Sequence, residues 1–95
     1  MAAYFIADVE ITDPEEYRRY AQLTGPIVER YGGKFLAVDA QPETTEGDWH
    51  SKRIIIMEFE SVEKARAWYD SPEYSAIAGM RYRSANSNVI LVKGL

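Results

Sequence analysis

At 95 residues the chain amounts to one domain, and a domain of that size buries only roughly 60–65% of the surface its unfolded chain exposes, a shortfall that oligomerisation would relieve. Hydrophobic and aromatic contents of 46% and 13% exclude a disordered chain, and the absence of cysteine removes disulfides, thiolate nucleophiles and Cys-based metal sites. A net charge of -4 with no Lys/Arg stripe argues against nucleic acid as a partner, and the lack of a basic n-region, an apolar leader or any long apolar run predicts a cytoplasmic protein without a membrane segment.

In chain order, Ala3–Ile11 alternates, with Phe5, Ala7, Val9 and Ile11 on one face and Tyr4, Ile6, Asp8 and Glu10 on the other, the pattern of a first strand. Asp13-Pro14-Glu15-Glu16 then supplies an N-cap, a proline at the first helical position and acids on the favourable end of the dipole. The helix that follows carries an apolar stripe of Tyr17, Tyr20, Ala21, Thr24, Val28 and Tyr31, is expected to kink or restart at Gly25-Pro26, and ends at Gly32-Gly33.

Residues 34–41 read as a second strand, 42–49 as a loop turning at Glu46-Gly47-Asp48, and 53–60 as a third strand with Ile55, Met57 and Phe59 on one face and Ile54, Ile56 and Glu58 on the other. Ser61 caps a helix with an inward stripe of Val62, Ala65, Trp68 and Tyr69. Asp70-Ser71-Pro72 breaks it and caps another helix over residues 73–85, and residues 89–93 form a short last strand. Residues 4–20 and 52–68 repeat one strand–cap–helix pattern, so the order is βαββαβ.

That order defines an α+β, ferredoxin-like single domain over residues 1–95: a four-stranded antiparallel sheet, the first and third strands central, with helices on one face. A water-facing second face would be polar, yet it carries Tyr4, Ile6, Ile54 and Ile56. A second copy packed sheet to sheet is the least costly cover, which predicts a homodimer.

Asp13-Pro14 with Tyr17 and Tyr20, the run Tyr31-Gly32-Gly33-Lys34-Phe35-Leu36, Glu46-Gly47-Asp48-Trp49, Arg53, Glu58-Phe59, Ser61, Ala65 and the run Trp68-Tyr69-Asp70-Ser71-Pro72-Glu73-Tyr74 together resemble the bacterial family known as domain of unknown function 1330. The resemblance spans nearly the whole chain. It implies a dimeric α/β barrel, two ferredoxin-like protomers facing each other through their sheets, and brings no established reaction. The wider superfamily it is similar to includes cofactor-free quinone-forming monooxygenases, muconolactone-type isomerases, haem-degrading monooxygenases and stress-response barrels, whose substrates occupy a cleft between sheet and helices.

Four groups of residues are candidates for chemistry. Asp8, Glu10 and Glu58 share the non-helical face, and aligning the repeats pairs Glu10 with Glu58; carboxylates held close suit a general base, or else form ion pairs with Lys52, Arg53 or Lys93. Tyr17, Tyr20, Trp68, Tyr69 and Tyr74 either wall a cleft for a planar ligand or fill a core. His50 lies in a loop, where a solvated side chain is the simpler reading, and the helical position of the haem ligand in haem-degrading relatives has no histidine. Arg81, with Arg53, Arg83 and Lys93 near it, either holds a ligand carboxylate or complements a helix dipole. No Gly-rich phosphate loop is present, so a nucleotide cofactor is not indicated, and the expectation is a protein with no metal or other cofactor. The expected function is small-molecule binding, Tyr20, Trp68 and Arg81 holding an aromatic or carboxylated molecule. Cofactor-independent monooxygenase- or isomerase-like chemistry would use Asp8 or Glu58 as proton acceptor; the alternative is a non-catalytic binding or assembly module.

Overall fold

The computed structural model describes residues 1–95. The elements run β1 (Ala3–Ile11), α1 (Pro14–Arg30), β2 (Lys34–Asp39), β3 (Arg53–Phe59), α2 (Val62–Tyr69), α3 (Pro72–Ser84) and β4 (Ala85–Lys93). The sheet order is β2-β3-β1-β4 with every pair antiparallel, so β1 and β3 are central, as the βαββαβ pattern requires. No helix is long and apolar enough to cross a membrane.

Local chemistry fixes the helix ends. Asp13 caps α1 by accepting from the Glu16 N–H, with Pro14 in the first turn. The far end closes in a Schellman arrangement: Gly32 N–H donates to Glu29 O at 2.9 Å and Gly33 N–H to Val28 O at 3.0 Å. Gly32 takes φ +79°, where a side chain would be strained. Between these caps α1 is one continuous helix, so the helix does not restart at Gly25-Pro26. Pro26 lies on the exposed side, where the Gln22 carbonyl that loses its helical partner can bond to water instead.

Helices α1 and α3 are tied together at both ends. Tyr31 Oη donates to Glu73 Oε1 at 2.9 Å, and Arg83 Nη2 donates to Glu16 Oε2 at 2.7 Å. β4 begins at Ala85, directly after α3, four residues earlier than residues 89–93 predict. Its polar start, Asn86-Ser87-Asn88, has no strand signature of its own, but β1 is long enough to pair with it from Ile11↔Ala85 onward. Pairing with a strand already in place outweighs weak intrinsic propensity.

The helical face of the sheet carries the core. Ala3, Phe5 and Val9 of β1, Met57 and Phe59 of β3, Val28 of α1 and Ala65 and Trp68 of α2 are all buried there. The opposite face is crossed by one in-register apolar row: Ala37 opposes Ile56, Ile56 opposes Ile6, and Ile6 opposes Ile90. Ile90 is 59% exposed in the single chain.

Candidate functional site

Between the helical face of the sheet and the helices lies a cavity of about 260 Å³. Its floor is sheet: Ala7 and Val9 from β1, Ile55 and Met57 from β3, with Phe35 and Val38 of β2 and Val89 of β4 at the sides. Tyr17, Tyr20 and Ala21 of α1, Trp68 and Tyr69 of α2 and Tyr74 of α3 form the roof. Phe5 completes this apolar and aromatic set, and Thr24 and Arg81 are the only other lining residues. Two of the lining residues, Ala7 of the sheet and Ala21 of α1, have small side chains.

Ser71 sets the geometry of the aromatic wall. Its hydroxyl donates to Trp68 O at 2.8 Å and accepts from Tyr74 N–H at 3.1 Å, so one buried residue ends α2 and starts α3. The Trp68 and Tyr74 rings are thereby held with centroids 4.3 Å apart. Trp68 also stacks on Phe59 and meets Phe5 edge-on.

Three polar side chains form a chain across the wall. Arg81 Nε donates to Tyr74 Oη at 3.2 Å, and the Tyr74 and Tyr20 hydroxyls are 2.8 Å apart. Burial pushes the Tyr20 phenol well above the ordinary tyrosine pKa, and its proximity to Tyr74 adds to the rise. Arg81 is 8% exposed, and its guanidinium has no carboxylate within ion-pair reach. Burial opposes its charge, but the Tyr74 and Tyr20 oxygens outweigh that and raise its pKa. Buried cations are normally paired. Two further wall residues hold polar atoms that are buried without a hydrogen-bond partner, Thr24 Oγ1 and Trp68 Nε1.

Of the residues singled out from the sequence, Tyr20, Trp68 and Arg81 meet at this cavity, along with Tyr17, Tyr69 and Tyr74. Asp8 and Glu58 do not line it; they lie on the other face of the sheet. The expected closeness of Glu10 and Glu58 is corrected by the strand register. In the antiparallel pair Glu58 opposes Tyr4, which leaves Asp8 about 13 Å and Glu10 about 20 Å along the strand at roughly 3.3 Å per residue. The repeat matches β1 and β3 residue by residue in the same direction, whereas the two strands run antiparallel. Asp8 instead accepts from Trp49 Nε1 at 2.8 Å and from Lys52 N–H at 2.9 Å, and Glu58 pairs with Lys34 Nζ at 3.3 Å. His50 is exposed in the loop.

The basic residues do not form one cluster either: Arg83 is committed to Glu16, and Lys93 and Arg53 oppose Ala3 and Val9, well separated along β1. Thr24, outside the candidate residues read from the sequence, also lines the cavity, and its signal is a hydroxyl inside an otherwise apolar helical stripe. Phe35 and Val38 both reach the cavity because a bulge between Phe35 and Ala37 breaks the alternation of β2, which a period-two reading of the strand does not show.

Fold and cavity together define a ferredoxin-like α+β domain with an aromatic chamber between sheet and helices. The chain belongs to the family described as domain of unknown function (DUF1330), whose model matches residues 2–95. Among solved structures it is similar to a protein of unknown function from Rhodopseudomonas palustris, at 24% identity and a TM-score of 0.80 over 99% of this chain and 82% of that one. It is also similar to SnoaB, a cofactor-independent oxygenase from Streptomyces nogalater, at 16% identity and a TM-score of 0.71 over 99% of this chain and 93% of that one. A dimeric ferredoxin-like protein of unknown function from Jannaschia matches at 10% identity and a TM-score of 0.79 over 99% and 100% of the two chains. No curated protein matches the chain.

Proposed function

We propose that this protein binds a small aromatic or carboxylated molecule in the sheet–helix cavity, as a homodimer assembled through the outer faces of its sheets. The observation that carries the reading is Arg81: a guanidinium buried at the wall of an apolar chamber with no carboxylate partner of its own. A ligand anion would supply that partner bidentately. The size is suitable, since an apolar cavity of about 150 Å³ accepts a benzene ring and this one offers about 260 Å³. Trp68 and Tyr20 would flank the ring.

The dimer rests on the row Ala37–Ile56–Ile6–Ile90, which would otherwise face water. The similarity to a dimeric protein of the same fold supports it.

Binding is favoured over catalysis by the composition of the wall. It has no carboxylate, imidazole or thiol, and the candidate proton acceptors Asp8 and Glu58 stand across the sheet. Monooxygenase- or isomerase-like chemistry would therefore need a ligand acidic enough to enter as its anion, its proton already given up to water, with Arg81 stabilising that anion.

Native mass spectrometry of the purified protein, followed by denaturing release, tests the reading directly. The expected result is a dimer carrying one small acid per protomer, with the acid lost from an Arg81→Met variant that remains folded. Empty wild-type protein that also ignores a panel of aryl carboxylates in calorimetry would sink it.

A further inference from the structure

Beside the chamber, along the free edge of β4, a shallow polar pocket is lined by Tyr82, Asn86, Ser87 and Asn88. It shares Tyr69, Arg81 and Val89 with the chamber. Arg81 thus stands at the boundary of two compartments, one apolar and one that carries the Ser87 hydroxyl and the Tyr82 ring, the Asn86 and Asn88 side chains turning to the outer face of the sheet. Ser87 Oγ, on the polar side, is a third buried atom without a hydrogen-bond partner. No acid lines this pocket; the nearest carboxylate bonded to a lining residue is Glu10, which accepts from Asn86 Nδ2 at 3.5 Å on the outer face of the sheet.

We infer that this polar pocket is the vestibule of the chamber and the seat of the ligand's anionic group. The ligand is then an amphiphilic arylalkyl carboxylic acid, its ring inside the chamber and its carboxylate outside it between Arg81 and Ser87. This rests on the cavity-binding reading above and deepens it.

Three features point the same way. A hydroxyl without a hydrogen-bond partner and a guanidinium without a carboxylate partner line one pocket, and a carboxylate suits both, accepting from the serine O–H and from the guanidinium N–H groups that Tyr74 leaves free. The chamber interior beyond Arg81 offers only the Thr24 hydroxyl, the Trp68 indole N–H and phenols as polar partners, with no second cation for an anion carried to its far end. The Tyr82 ring lies 5.0 Å from the Arg81 guanidinium carbon and holds that cation at the boundary from the vestibule side.

The inference makes spacing between ring and carboxylate the determinant of affinity. A carboxylate fixed at Arg81 leaves the ring of benzoate in the vestibule, whereas two or three methylenes carry it into the chamber. Calorimetric titration of the intact protein with benzoate, phenylacetate, 3-phenylpropanoate and 4-phenylbutanoate reads this out. Affinity is expected to rise about fourfold per added methylene up to 3-phenylpropanoate, as each step buries more apolar surface. A Ser87→Val variant, whose β-branched side chain suits the strand, should weaken the longer acids several-fold, while 3-phenylpropanamide binds far more weakly than its acid to wild-type protein. Benzoate binding as tightly as the longer acids, or Ser87→Val leaving all four affinities unchanged, would place the carboxylate inside the chamber and overturn the vestibule while sparing the cavity reading. Failure of all four acids to bind would overturn both.

Discussion

The Trp49 indole N–H donates to Asp8 Oδ2 at 2.8 Å, across 41 residues of chain. The other oxygen of the same carboxylate accepts from the Lys52 backbone N–H at 2.9 Å, so one side chain of β1 anchors both the loop between β2 and β3 and the start of β3. Thr44 Oγ1 extends the tie by donating to Trp49 O at 2.8 Å. Asp8→Ala removes both acceptors at a partly exposed site and should cost about 1–2 kcal/mol. Urea unfolding would measure it, and cavity affinity should stay at the wild-type value because Asp8 lies across the sheet from the ligand. A loss of affinity without a loss of stability would instead return Asp8 to the list of functional groups.

Gly33 is required by close approach. A Cβ built there would lie 2.5 Å from Phe59 Cε1 and 2.8 Å from Val28 Cγ1. Both neighbours are fully buried, so neither can move aside cheaply. Gly33→Ala should destabilise the fold by about 1–3 kcal/mol, the usual range for overpacking. Comparing its denaturation midpoint with that of Gly47→Ala, in an open turn with nothing near, separates crowding from the cost of a positive φ, since only Gly47 has one.

The fold was legible because each signal was local and mutually consistent: Asp13-Pro14, Ser61 and Ser71-Pro72 mark three helix starts, and period-two runs mark β1 and β3. Errors arose where tertiary pairing decided. Asn86-Ser87-Asn88 becomes strand only because β1 runs alongside, and Pro26 stays in a helix because its side faces water. Within the site, Tyr20 and Trp68 could be matched from the repeat, since equivalent helix positions face the same cleft. Glu10 and Glu58 could not, because strand direction, invisible in a repeat alignment, carries them apart. That Arg81 has no carboxylate partner is a fact of packing that no motif encodes.

Alkali should weaken the fold through its buried phenols. Tyr20 has its pKa raised above the ordinary 10.0, chiefly by burial, and Tyr17 is raised by the same cause. The folded protein therefore holds these protons more tightly than the unfolded chain. Stability is fully present below about pH 10 and is lost as the pH rises beyond it towards the folded values, at about 1.4 kcal/mol per pH unit for each such group. Unfolding free energies between pH 8 and 11 should show this fall, and Tyr20→Phe should make it shallower. An unchanged slope in that variant would mean that Tyr20 titrates normally.

A dimer built on the outer face should depend on Ile90, the most exposed member of the row Ala37–Ile56–Ile6–Ile90. Ile90→Lys places a charge where a second sheet would press. Light scattering should show a monomer for the variant and a dimer for the wild type, with unchanged far-ultraviolet circular dichroism. A dimeric variant would move the interface to another surface.

Ala7 offers a way to close the chamber without touching its polar groups. It lies at the centre of the helical face, opposite Ile55 and Val89, and lines the cavity floor. Ala7→Leu adds three carbons that project into existing space, so the ligand-free protein should be as stable as wild type or more so, by up to about 1–2 kcal/mol. Binding of aryl acids should fall at least tenfold while Arg81 and Tyr74 keep their hydrogen bond. Destabilisation by more than about 1 kcal/mol would mean that the floor is already packed there. Retained affinity would mean that ligands bind elsewhere. Loss of binding with gained stability is the joint outcome that a preformed chamber requires, because only there does filling a void help the fold and exclude the guest at once.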